Sequence, residues 1–221
     1  KVIKFSKSKE IKGGRLIYCP PNTLISSFSK KFNNCQIGIG GQNCHESKDF
    51  GAHTGHVNSR MLKNIGAHFV IIGHSENREQ GESDKLINLK IKSALEAKLK
   101  VIFCIGETLT EKRKKKTQLI LSKQIKVGLK DIKNKANIFI AYEPVWAIGT
   151  GIVPKSKDLL KIIKFIKSKF KDKTPKVLYG GSVNPQNIKN LKEINNIDGF
   201  LIGGASQNVN KFIDIVKKTY S

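Results

Sequence analysis

Phe139-Ile140-Ala141-Tyr142-Glu143-Pro144-Val145-Trp146-Ala147-Ile148-Gly149-Thr150-Gly151 passes from four apolar or aromatic residues into an acid, a proline and a loop punctuated by glycine. A short apolar run bounded in this way reads as a strand covered on both faces, the kind a parallel sheet contains. The same pattern recurs on either side of it. Seven strands are expected, at residues 16–19, 36–40, 68–72, 101–105, 137–142, 176–179 and 199–202, each followed by a candidate helix. Strands alternating with amphipathic stretches predict an α/β fold assembled from βα units.

The clearest helix is expected over residues 84–99, where Leu86, Leu89, Ala94, Leu95 and Ala97 help to form an apolar stripe between lysines. A second is expected over 157–170, with Leu159, Leu160, Ile162, Ile163, Phe165 and Ile166 as its buried face. The basic run at 112–116 reads as the exposed start of a helix that continues through Leu119, Ile120 and Leu121. A closed barrel of βα units has eight strands and typically about 250 residues. With 221 residues the chain is one strand short of that pattern. Residues 1–10 read as the tail of a helix running into Gly13-Gly14, so the expected architecture is a (β/α)₈ barrel with seven of its eight strands. It would be a single domain over residues 1–221, lacking the strand of the first unit and most of its helix.

Net charge is +24, yet only Arg15, Arg60, Arg78 and Arg113 of the 41 basic residues are arginine, and the lysines are spread over nearly every expected helix. That distribution, without interleaved aromatic stacking positions, fits a solvated surface rather than specific nucleic-acid recognition. No run approaches the roughly 20 apolar residues that span a bilayer. Cys19, Cys35, Cys44 and Cys104 form no Cys-x-x-Cys pair and have no histidine at zinc-ligand spacing, so no metal is expected and a reduced cytoplasmic protein fits best. Cys44 and Cys104 read as small buried hydrophobes.

In barrels of this kind chemistry gathers at the carboxyl ends of the strands. Four such places stand out: Gly73-His74-Ser75-Glu76, the stretch from Glu143 to Gly151, Tyr179-Gly180-Gly181-Ser182-Val183-Asn184, and Gly203-Gly204-Ala205-Ser206. Glycine-rich turns after the sixth and seventh strands let backbone N–H groups approach an anion, although a Gly-Gly pair is often only a turn. Glu143 at a strand end suits a base, or equally a partner for a lysine. His74, just before an expected helix, suits a neutral electrophile, or a satisfied core histidine. Taken together, a Glu base, an electrophilic His and a phosphate cradle point to proton abstraction beside a carbonyl in a phosphorylated sugar.

The stretch from Ala141 to Gly151 resembles the base-bearing strand and mobile lid of triosephosphate isomerases. Further motifs follow in family order: Gly51-Ala52-His53-Thr54-Gly55, Ile71-Ile72-Gly73-His74-Ser75-Glu76, Cys104-Ile105-Gly106-Glu107-Thr108, the Tyr179 turn and Gly199-Phe200-Leu201-Ile202-Gly203-Gly204-Ala205-Ser206. The resemblance covers essentially the whole chain and implies a TIM (β/α)₈ barrel. It implies an isomerase of glycolysis and gluconeogenesis that interconverts dihydroxyacetone phosphate and D-glyceraldehyde 3-phosphate through an enediolate, with no cofactor. The pairing of a Glu base with a neutral His is a known property of this family. By resemblance, Glu143 shuttles the proton, His74 polarises the carbonyl and Glu76 supports the site. Pro144, Val145, Trp146, Ala147, Ile148, Gly149, Thr150 and Gly151 belong to a lid running to about Val153, with the Gly149 N–H on the phosphate. Tyr179 and Ser182 hold the closed lid, and Gly203 and Gly204 bind phosphate. The loop containing Thr54 implies a homodimer.

Several positions depart from the family pattern. The Asn-x-Lys motif that ends the family's first strand is absent, so residues 1–221 alone are expected to turn over at least about 10²-fold more slowly than an intact enzyme. His53 stands for a bulky aromatic, and His56 and Asn77 stand where Glu and Arg are usual. A dimer would therefore need different polar contacts. His45 and His68 read as surface or strand-end residues. Another phosphosugar isomerase or synthase on the same barrel, a nucleic-acid-associated protein and a catalytically dead scaffold are the competing readings; a substrate panel tests the first and retention on duplex DNA across a salt series the second.

Overall fold

Runs of β-branched and aromatic residues favour the extended chain, and in this protein they become parallel strands linked by helices. The computed structural model describes residues 14–33, 35, 37–171 and 174–220, and the expected helix tail at 1–10 lies outside them. Among the described residues there are seven strands. The chain divides into two units, a first comprising Arg15–Cys104 and Gln124–Phe139 and a second comprising Ile105–Lys123 and Ile140–Ser221.

In the first unit β1 (Leu16–Tyr18), β2 (Ile37–Gly41), β3 (Phe69–Ile72) and β4 (Lys100–Ile105, its last residue in the second unit) run in chain order. Each neighbour is parallel, with Leu16 opposite Ile37, Gly40 opposite Phe69 and Phe69 opposite Lys100. In the second unit β5 (Ile138–Tyr142, its first two residues in the first unit), β6 (Val177–Tyr179) and β7 (Gly199–Phe200) are likewise parallel, with Ile140 opposite Val177 and Leu178 opposite Gly199. Strands lie within a residue or two of expectation. The largest difference is in β7, which ends at Phe200, two residues early, and Gln36 lies outside the described residues.

The helices are α1 (Ile25–Phe32), α2 (Ser59–Asn64), α3 (Ser75–Glu79), α4 (Asp84–Glu96), α5 (Leu109–Arg113), α6 (Thr117–Gly128), α7 (Ser156–Lys167), α8 (Ile188–Lys192) and α9 (Val209–Tyr220). Three differ from the sequence expectation for physical reasons. α4 stops at Glu96 because Lys98 turns left-handed at φ 61°. Its buried face is Ile87, Ile91 and Ala94, with Leu86 and Leu95 half-buried and Leu89 turned to solvent, so the stripe is rotated from the one read on leucines alone. In α7 only Leu159, Ile163 and Ile166 are fully buried, the narrower stripe that a helix on a sheet needs. The basic run at 112–116 is not the start of a long helix. Lys112 and Arg113 finish α5, Lys115 adopts φ 54°, and α6 begins afresh at Thr117.

Each unit has its own apolar centre. Phe69, Val70, Ile72, Ile87, Ile91, Val101 and Phe103 form it in the first, and Ile140, Leu159, Ile163, Ile166 and Val177 in the second. Every such side chain contributes roughly 1.5–3 kcal/mol by leaving water. Cys44 and Cys104 are buried in the manner of small hydrophobes. Burial pushes the Cys44 thiol up to about 12, so it holds its proton at neutral pH.

Candidate active site

The second unit builds its centre around the residue that follows β5. Glu143 is 3% exposed, and its N–H donates to the carbonyl of Ile105 at 2.8 Å. Two glycines make room for it. A Cβ on Gly106 would lie 1.7 Å from the Glu143 carbonyl oxygen, and one on Gly180 would lie 2.8 Å from its Cγ and 3.2 Å from Oε1. Glu143 therefore sits in a slot, its main chain against Gly106 and its side chain against Gly180. The sequence reading had counted Gly180 only in a turn suited to an anion; in the structure it is a wall of this slot. Gly181 serves Tyr179 in the same way, since a Cβ there would lie 2.1 Å from the phenol oxygen. Tyr179 is wholly buried, its hydroxyl has no hydrogen-bond partner among the described residues, and burial pushes its pKa up.

Beyond Glu143 the chain makes a short 3₁₀ turn over Val145–Ala147 and then an exposed loop. Glu107, next to the end of β4, organises the near side. Its carbonyl accepts from the Val145 N–H at 3.1 Å, and its carboxylate accepts from Trp146 Nε1 at 2.9 Å and from the Tyr142 hydroxyl at 3.2 Å. Burial raises the Glu107 pKa, against the lowering pull of Trp146, Tyr142 and Lys112. Tyr142 is raised in turn, first by burial and then by the Glu107 charge. Lys112 Nζ lies over the Trp146 ring, 3.1 Å from its centroid.

Ser182 joins the two sides of the loop. Its hydroxyl donates to the Ala147 carbonyl at 2.6 Å and accepts from the Gly151 N–H at 3.0 Å. Thr150 adds an internal brace, donating to the Trp146 carbonyl and accepting from the Ile152 N–H. Gly149 and Gly151 take φ of 69° and 76°, which a residue with a side chain rarely adopts, and both face open space. After β7, Gly203 and Gly204 are exposed, with nothing near the position a side chain would occupy. The Gly203 carbonyl accepts from both the N–H and the hydroxyl of Ser206, closing a 3₁₀ turn over Gly204–Gln207.

His74 and Glu76 belong to the first unit. His74 caps α3, its Nδ1 accepting from the Glu76 N–H at 3.4 Å, and Gly73 before it takes φ 77°. Arg78, which the sequence reading passed over, fixes this corner. Its guanidinium donates to the carbonyls of Gly73 and Cys104 and pairs with Asp84 at 2.7 Å. The Glu76 side chain is 78% exposed, with its carboxylate 3.8 Å from His74 Nδ1. Thr54 is exposed on the loop after Gly51. Asn77, where the family usually has Arg, accepts from Asn43 of the same chain at 3.1 Å. His45 is not a bare surface residue: its ring centre lies 4.5 Å from those of both His53 and His56, tilted by 40° and 46°, which is where two of the departures from the family pattern are used. His68 precedes β3 and is exposed, as expected.

Glu107 and Gly106 were legible by the rule that selected Glu143, since both directly follow an apolar run. Among the described residues no group of three His, Cys, Asp or Glu could hold a metal ion, and no helix is long and apolar enough to cross a membrane.

Comparison with known proteins bears directly on this arrangement. The triosephosphate isomerase family model matches residues 2–219. The triosephosphate isomerase of Thermodesulfovibrio yellowstonii is 43% identical over 95% of this chain and 88% of its own length. That of Bradyrhizobium diazoefficiens is also 43% identical, over 91% of this chain and 83% of its own length. A crystal structure of triosephosphate isomerase from Bartonella henselae superposes with a TM-score of 0.87 at 38% identity, covering 94% of this chain and 87% of that one. The chain therefore belongs to the triosephosphate isomerase family, is an isomerase, and has the fold class of the (β/α)₈ barrels.

Proposed function

We propose that Glu143 is the base that moves a proton between the two carbons of dihydroxyacetone phosphate and D-glyceraldehyde 3-phosphate, with His74 as the electrophile on the substrate oxygen. The seat of Glu143 carries this reading. Glu143 is 3% exposed at the carboxyl end of β5, its main chain close against Gly106 and its side chain against Gly180, so its carboxylate has lost most of the water that would weaken it as a base toward carbon. His74 suits the second role because its Nδ1 is turned to the Glu76 amide. A neutral ring then carries its proton on Nε2, the nitrogen that donates to the carbonyl and later to the enediolate. Glu76 supports the site through its N–H, which His74 Nδ1 accepts at 3.4 Å, while its carboxylate is 78% exposed.

Residues 144–153 act as the lid, closing over the substrate so that the Gly149 N–H meets the phosphate while water is shut out. Ser182 holds the lid through the bonds it makes to Ala147 and Gly151, and the Tyr179 hydroxyl waits for a lid partner. Gly203 and Gly204 offer exposed N–H groups to the phosphate. The same reading takes the chain as a single domain that pairs as a homodimer through the loop carrying Thr54, in the cytoplasm, where four free cysteines stay reduced. The deciding experiment is a coupled isomerase assay on Glu143→Gln. Turnover should fall by about 10²–10⁴-fold, the usual contribution of a positioned base. Unchanged turnover would end the assignment.

A further inference from the structure

We propose that Lys112 is a positioning residue for the lid, holding the Trp146 indole from its face while Glu107 holds it from its edge. The proposal rests on the reading of residues 144–153 as a lid. Three observations carry it. The ammonium sits 3.1 Å from the ring centroid, where the negative face of an indole attracts a cation most strongly. The indole N–H is fixed by the Glu107 carboxylate at 2.9 Å, so the ring is gripped at two points by groups of opposite charge. Lys112 itself is placed by the start of α5. There Thr108 accepts from the Glu111 N–H at 3.3 Å and the Glu111 carboxylate accepts from the Thr108 N–H at 2.8 Å, a reciprocal cap that fixes the helix register.

Five consecutive basic residues, 112–116, would pass on sequence for one solvated stretch. The geometry singles out the first of them. Trp146 lies three residues after the base, at the root of the lid, and its neighbours Val145 and Ala147 form the turn from which the loop departs. For the lid to swing, the indole must slide between an ammonium near the end of α5 and a carboxylate just after β4. Lys112 thus biases the lid toward one arrangement through charge, an influence that salt screens because the residue is exposed.

Trp146 is the sole tryptophan of the chain, so its fluorescence reports this ring alone. The experiment measures acrylamide quenching and kcat/KM for residues 1–221 and for Lys112→Met and Lys112→Arg, with far-UV melting as a control for folding. In the parent, dihydroxyacetone phosphate should reduce quenching. In Lys112→Met, quenching without substrate should rise and kcat/KM fall, each by about two- to fivefold, the factor expected of one exposed cation–ring contact. Lys112→Arg should restore both, and high salt should raise quenching in the parent toward the Met variant. Quenching and kcat/KM unchanged in Lys112→Met overturn the proposal, and so does an Arg variant that behaves like Met. If substrate leaves the parent's quenching unaltered, the lid reading fails and the proposal falls with it, an outcome seen without any variant.

Discussion

At the end of β5 the main chain of Glu143 runs so close to Gly106 that a methyl group would lie 1.7 Å from its carbonyl oxygen, whereas a little further on Gly149 has open space where a side chain would begin. Glu143 is located by atoms that have nowhere to go. The exposed loop that follows is located by a few hydrogen bonds, to Ser182 and Glu107 and within itself through Thr150. Proton transfer needs a carboxylate fixed to a fraction of an ångström, while substrate entry needs a cover that comes away. Steric contact suits the first task and polar latches the second.

Four substitutions test that division. Gly106→Ala should be the most damaging, because the overlap is with backbone: urea unfolding should show a loss of about 3 kcal/mol or more. A tolerated alanine would mean the seat is as soft as the lid. Gly180→Ala pushes on the Glu143 side chain instead, so the fold should survive while kcat drops about 10²-fold with KM nearly unchanged, the signature of a base displaced by a fraction of an ångström or more. Ser182→Ala removes both latch bonds from the lid. Here kcat/KM should fall about thirtyfold, given net hydrogen-bond values near 1 kcal/mol each, and urea unfolding should change by no more than about 2 kcal/mol.

The smallest effect concerns Glu107 and pH. Its folded pKa is raised above the ordinary 4.5, chiefly by burial. A raised carboxyl favours the folded state most when protonated, so that contribution is complete below the unfolded value and is lost as pH rises through the folded one. Relative to Glu107→Gln, the parent's unfolding free energy should therefore decline as pH climbs upward from about 4.5. Urea titrations at several pH values would reveal it, and parallel curves for the two proteins would contradict it.

Much of this is legible in the sequence. The seven strands came from apolar runs between turn residues, and Glu143, His74 and the Gly203-Gly204 turn from their places just after those runs. What escaped were features set by tertiary packing. Nothing local distinguishes Gly180 as a wall rather than part of a cradle, because the neighbour it must clear, Glu143, is far away in sequence. Arg78 looked like one more base in a basic chain until it was found spanning the carbonyls of Gly73 and Cys104. The leucines of α4 do not mark its inner face, because Ile87 and Ile91 pack inward while Leu89 faces solvent. Residues 112–116 were joined to the wrong helix because a left-handed lysine at 115 has no compositional mark.

The reciprocal cap at Thr108 and Glu111 has one more consequence, for which kinds of sequence change this connection can absorb. A helix turns about 100° per residue, so one residue inserted or deleted between the cap and Lys112 would carry the ammonium to another side of α5. Point changes at the outward positions 113–116 leave that geometry alone. Drift in this segment should therefore proceed by substitution at constant length, and a length change should be found only where the tryptophan opposite has changed too.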